Sequence, residues 1–140
     1  MRFINLTKVM EKIIDLNTDI AEIELKDGVL YLRFTVEDIE LGPLKKHNAD
    51  INAAFGHLYP MPFIIEASPT SKGVSKEVRD YSALPENADR MTCMAVIVHS
   101  SFTRMVANLF MKFARMSTPT QLFSDIEAAK KWAKTFIKNK

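Results

Sequence analysis

The chain has 140 residues, 47% of them hydrophobic and 26% charged, with one cysteine and a formal net charge of +2. That balance fits one domain around a single core and excludes wholesale disorder or a fibrous repeat. One cysteine excludes an internal disulfide framework and a four-cysteine zinc site, and no apolar run approaches the roughly 20 residues of a membrane span.

Met1 to Leu16 has charges spread through it and no small-residue cleavage site, so a secretory signal is not expected and a cytoplasmic location is. Residues 10–18 read as helix (Val9, Ile13, Leu16, Ile20) or as strand (Ile14, Leu16, Thr18), and both readings stay open. A hairpin follows. Ala21 to Lys26 alternates apolar and charged residues, Asp27-Gly28 tolerates the positive φ of a type I′ turn, and Val29 to Phe34 returns. Gly42-Pro43 predicts a helix opening with Pro43 at its first position, and Leu44, Ile51, Phe55 and Leu58 form its apolar stripe. Tyr59-Pro60 ends it. Met61 to Glu66 is a short continuous apolar run, as expected of a strand buried on both faces, with Pro62 at its entrance.

Residues 67–74 read as a turn-rich loop, and Ser75 as the N-cap of a helix through Val78 and Tyr81 towards Leu84, broken at Pro85. The second apolar strand lies within Met91 to His99. Ser100 or Ser101 is expected to cap a helix whose Phe102, Met105, Val106, Leu109, Phe110 and Phe113 make one buried face. Thr120 to Phe123 is a short strand. Ser124 and Glu127 then match a capping box for a last helix with the stripe Ala129, Trp132, Ala133, Phe136 and Ile137. The expectation is one α/β domain over 1–140: an N-terminal β-hairpin, then β-α repeats in a mostly parallel five-stranded sheet with about four helices.

The hairpin, Pro62-Phe63-Ile64-Ile65-Glu66, Val74-Ser75-Lys76-Glu77-Val78-Arg79-Asp80-Tyr81 and Pro119-Thr120-Gln121-Leu122-Phe123-Ser124-Asp125 occur together over about residues 20–137. In this the chain resembles small bacterial proteins of the STAS fold, the fold of anti-sigma-factor antagonists, often described as STAS/SEC14 domain-containing. The resemblance implies a β-α superhelix and a role in binding proteins or small ligands rather than in catalysis. In phosphoregulated members a Ser caps the helix after the third strand, usually inside Asp-Ser-Ser-Gly. By position Ser75 matches that phosphoacceptor, although Val74 replaces the Asp and Lys76-Glu77 replaces Ser-Gly. Ser75 is thus a phosphoacceptor or simply a helix cap.

Charge is unevenly placed: seven basic and eleven acidic residues in 1–70, twelve and six in 71–140. Most of the C-terminal excess is expected on one terminal helix, where Lys130, Lys131, Lys134, Lys138 and Lys140 oppose the negative end of the dipole. No nucleic-acid partner is expected. His47 and Asp50 have metal-ligand spacing, but without a third ligand they read as a solvated helical pair, and no metal is expected. Cys93 reads as apolar filler. No elbow, P-loop, dinucleotide turn or zincin motif occurs, so neither an enzyme nor a cofactor is expected. His99 and Ser101 sit just beyond a strand's carboxyl end, where α/β sheets bind ligands, and with Arg79, Asp80, Tyr81 and Arg104 they form the expected rim of a ligand or partner site. The Met- and Phe-rich C-terminal half (Met91, Met94, Met105, Met111, Met116) fits a homodimer interface. The expected function is a non-enzymatic regulatory or protein-interaction module. The alternative is a sensor of an apolar or lipid-like ligand held in a cavity lined by Phe102, Met105, Phe110 and Trp132.

Overall fold

The computed structural model describes residues 14–68, 74–98 and 118–137. Strands β1 (Ile14–Asn17), β2 (Ala21–Lys26) and β3 (Val29–Phe34) form an antiparallel meander. Helix α1 (Leu41–Phe55), a 3₁₀ turn (Gly56–Leu58) and β4 (Met61–Glu66) follow. Then come α2 (Lys76–Ser82), the single turn α3 (Pro85–Ala88), β5 (Met91–Ile97), β6 (Thr120–Phe123) and α4 (Ile126–Lys134). Strands β3 to β6 are mutually parallel, and the sheet runs in strict chain order from β1 to β6. The α/β class and the parallel run of later strands are as expected. The strand count is corrected from five to six, because residues 14–17, left open between helix and strand, pair with 22–25.

The side-chain period of two sorts the sheet into two faces. Leu30, Leu32, Phe63 and Met61 point to the front, where Leu44, Ile51 and Phe55 of α1 and Val78 of α2 cover them. Val29, Ile64, Cys93, Ala95 and Ile97 point to the back against Ala129 and Ala133 of α4. In β4 adjacent residues are therefore buried on opposite faces: Phe63 is 1% exposed and Ile64 0%. This is why its sequence is an unbroken apolar run. On β2, which no described helix covers behind, the pattern reverts to alternation, with Glu22, Glu24 and Lys26 on the solvated side. Small residues on both sides, Ala95 below and Ala129 and Ala133 above, let α4 lie close to the sheet. Trp132 then closes the margin against Phe123 (5.6 Å) and Phe136 (4.8 Å).

The hairpin turn is as the sequence demands. Asp27 (φ 54°) and Gly28 (φ 79°) both take the left-handed conformation. A Cβ at Gly28 would also sit 3.3 Å from Cδ1 of Ile137, which would have to shift slightly to admit it. Three local expectations are corrected. Helix α1 begins at Leu41, so Pro43 is its third residue, still within the turn whose N–H groups have no intrahelical partner. Asp125, not Ser124, caps α4, accepting a hydrogen bond from the Ala128 N–H at 3.1 Å. Leu58 lies on the 3₁₀ turn, 41% exposed, because the tighter winding rotates it off the α1 stripe. Pro62 stands beside a register shift in the β4–β5 pairing, where its missing N–H leaves no ladder bond unmade.

Ile64 tests the two-faced burial. Ile64→Ala is expected to lower unfolding free energy by about 2–5 kcal/mol in urea denaturation. Leu58→Ala should change it by less than about 0.5 kcal/mol.

Candidate functional site

At the carboxyl edge of β3 and β4 the chain leaves the sheet twice, through residues 35–40 into α1 and, after β4, towards Ser75, which caps α2. The starts of these two helices flank one groove of about 500 Å³. Asp38 and Glu40 approach from one side and Glu77 from the other, with Ile39, Leu41 and Gly42 completing the wall. Carboxylates are favoured there by the positive ends of both helices. Ser75 lines the same groove. It is exposed, and its Oγ accepts a hydrogen bond from the Val78 N–H at 3.2 Å. The expected cap is thus in place at the surface of an acidic groove.

The other expected rim residues on α2 do not converge. Successive helical residues lie about 100° apart, and each finds a different partner. Arg79 turns back so that Nη1 donates to the Val74 carbonyl at 3.0 Å. Asp80 pairs outward with Lys76 at 2.8 Å. Tyr81 faces α1, its hydroxyl 3.4 Å from Asn48 Nδ2 and its ring 5.6 Å from the Lys45 ammonium. His99, Ser101 and Arg104 lie outside the described residues, as do Ser100, Phe102, Met105, Phe110, Met111 and Met116. Among the described residues no group of His, Cys, Asp and Glu could hold a metal ion.

His47 is corrected. It is 1% exposed rather than solvated, and Asp50 pairs instead with Lys46 at 3.3 Å. Its Nδ1 lies 2.8 Å from Thr18 Oγ1, and its ring packs 5.4 Å from that of Phe34. Thr18 Oγ1 already accepts from the N–H groups of Ala21 (3.2 Å) and Ile20 (3.4 Å). The same hydroxyl lies 3.4 Å from the Ala21 carbonyl, so it ties the imidazole to the β1–β2 turn. The imidazole Nε2 is buried and has no partner among the described residues. Burial first, then the charge of Arg90, lowers the imidazole from its ordinary 6.5 to about 4, against a weaker opposite pull from Asp50.

A second polar region, between α1 and the α2–α3 segment, is not marked by any local sequence pattern. Arg90, just before β5, donates from Nε to the Asn87 carbonyl (2.9 Å) and from Nη1 to Asn52 Oδ1 (3.2 Å). It lies 5.4 Å from the centroid of the Phe63 ring. Tyr59 donates to the same Asn52 oxygen at 2.8 Å, and Asn87 Nδ2 donates to the Tyr81 carbonyl at 2.7 Å. These partners are 38 and 31 positions from Arg90 or close by in chain-turning loops, so no local spacing announces them.

Behind the sheet, a groove of about 310 Å³ separates α4 from the β2–β3 hairpin, with Val29, Tyr31 and Ile64 as its floor and charges of both signs around it. The Tyr31 hydroxyl donates to Glu66 Oε1 at 2.8 Å, and burial with that carboxylate raises its pKa. Cys93 is 0% exposed, and burial pushes its thiol up to about 11, which keeps it protonated and un-nucleophilic at neutral pH.

A family model described as Domain of unknown function (DUF7793) matches residues 23–137. No curated protein and no solved structure matches the chain. No helix among the described residues is long and apolar enough to cross a membrane.

Two outcomes are expected. Removing the hydroxyl that holds the Val78 N–H, Ser75→Ala should cost about 1 kcal/mol in urea denaturation, whereas Ser75→Asp keeps a capping oxygen and most of the stability. The second concerns pH. Because the folded His47 titrates near 4 and the unfolded one near 6.5, the unfolded chain binds the extra proton between those values. Stability should therefore be unaffected by this group above about pH 6.5 and fall as pH drops towards 4, by at most about 3 kcal/mol. Unfolding curves across that range should show the slope, and His47→Leu should remove it.

Proposed function

Because this chain belongs to the family described as Domain of unknown function (DUF7793), we propose its role from its own geometry: a non-enzymatic regulatory module of STAS-like type that binds a protein partner through the groove at Ser75. The observation that carries this reading is the coincidence of an exposed helix-capping serine with three carboxylates around one groove. A strand order that follows the chain is what a β-α superhelix requires, and it supports the STAS-like reading. The buried, unpaired Cys93 is in keeping with the reducing cytoplasm, where we place the protein.

Asp38, Glu40 and Glu77 fit the groove to a Lys- or Arg-rich segment of the partner. A phosphate on Ser75 would add about −1.5 to −2 charge at that wall. It tightens the hold on a basic segment and repels an acidic one, so the modification acts through the charge of the groove. A second copy of this chain is one such partner, since the α4 surface carries Lys130, Lys131 and Lys134.

The test is a photo-crosslinking residue in place of Ile39, used in cells that express the protein. Adducts mapping to a basic segment of one protein, lost in Asp38→Lys/Glu77→Lys and strengthened in Ser75→Asp, are the expected result. Adducts insensitive to these charges would overturn the reading. So would native mass spectra showing a stoichiometric small molecule with no protein adduct, the outcome a ligand sensor would give.

A further inference from the structure

Arg90 is the cation whose surroundings the fold leaves electrically incomplete. Its side chain is partly buried between α1, the α2–α3 segment and the entrances of β4 and β5, yet every group it touches is neutral. These are the Asn87 carbonyl, the Asn52 amide oxygen, the Tyr59 phenol and the face of Phe63. No carboxylate of the described residues pairs with it, whereas Arg33, Lys46, Lys76, Lys130 and Lys134 each reach one. A desolvated guanidinium normally gains a carboxylate or phosphate, because neutral dipoles only partly replace lost hydration. Here N–H donors of the fork also remain unspent after its bonds to Asn87, Asn52 and Tyr59.

The neighbourhood extends this pattern. Lys45 projects over Tyr81, whose hydroxyl meets Asn48, and the Tyr59 hydroxyl joins Arg90 at Asn52. Lys45 and Arg90 thus both border this seam, with phenol and amide groups between them, a combination suited to an oxyanion with several acceptor oxygens. We infer that the seam between α1 and the α2–α3 segment, centred on Arg90 with Lys45, Asn52 and Tyr59, is a binding site for the phosphate group of a small phosphate monoester. Arg90 supplies the bidentate fork, Lys45 the second charge, and Phe63 holds the guanidinium plane from beneath. The site is separate from the Ser75 groove and stands or falls independently of it.

Titration of the protein with inorganic phosphate and with phenyl phosphate, followed by heteronuclear NMR at fixed ionic strength against chloride, tests the assignment. Saturable shifts of the Arg90 Nε–H and the Asn52 side-chain amide are expected, with both phosphates binding more tightly than acetate. Arg90→Lys should weaken binding about tenfold, since an ammonium cannot present the fork, and Arg90→Gln should abolish saturation. Should Arg90→Gln unfold, Lys45→Gln carries the test, because Lys45 is exposed and meets the seam only over the Tyr81 ring; a several-fold weakening is expected. Shifts that chloride reproduces, acetate binding as tightly as phosphate, or midpoints unchanged in Lys45→Gln would each overturn the site.

Discussion

The fold rests on the parallel pairing of β4 with β3 and β5, a ladder that water reaches from neither face. Ile64 pairs with Tyr31 on one side and Ala95 on the other, and its side chain is wholly buried against α4. Phe63, its neighbour, is buried against α1. A doubly covered strand must be apolar at consecutive positions, and its backbone polar groups must find partners within the sheet. The amphipathic helices follow from the same requirement. In a sheet that always advances in one direction, crossovers of one hand place their helices on one face, as α1 and α2 are. The back is then free for α4, which follows β6.

That geometry also explains where functional groups gather. Crossover helices of one hand start at the carboxyl edge and end at the amino edge, so polar residues collect at both. The carboxyl edge receives helix starts and their acids, Asp38, Glu40 and Glu77. The amino edge receives Tyr59 and Arg90, which lie just ahead of β4 and β5. The two regions therefore differ in charge for a topological reason.

Much of the architecture was legible in the sequence because its determinants are local. Asp27-Gly28 announced the hairpin, two unbroken apolar runs announced the buried strands, and Ser75 announced a cap. What escaped was non-local. Thr18 and His47 are 29 positions apart, and nothing in the spacing of His47 and Asp50 foretells that the imidazole turns inward to the β1–β2 turn. Residues 14–17 became a strand because β2 offered an open edge to pair with, an influence that outweighs a helix-compatible pattern. The cap of α4 slipped by one residue since Ser124 and Asp125 both carry capping oxygens and the choice depends on how β6 ends. The Arg90 seam joins three elements, none of which marks it alone.

A sheet whose spatial neighbours are also neighbours along the chain has a consequence for how it assembles. No strand must be threaded between two already in place, and the hairpin can present its β3 edge as a template before later residues have ordered. Each further strand then closes a loop only as long as one crossover, which keeps the entropy of each addition small. Growth from the amino-terminal meander outward matches the order in which a ribosome delivers the segments.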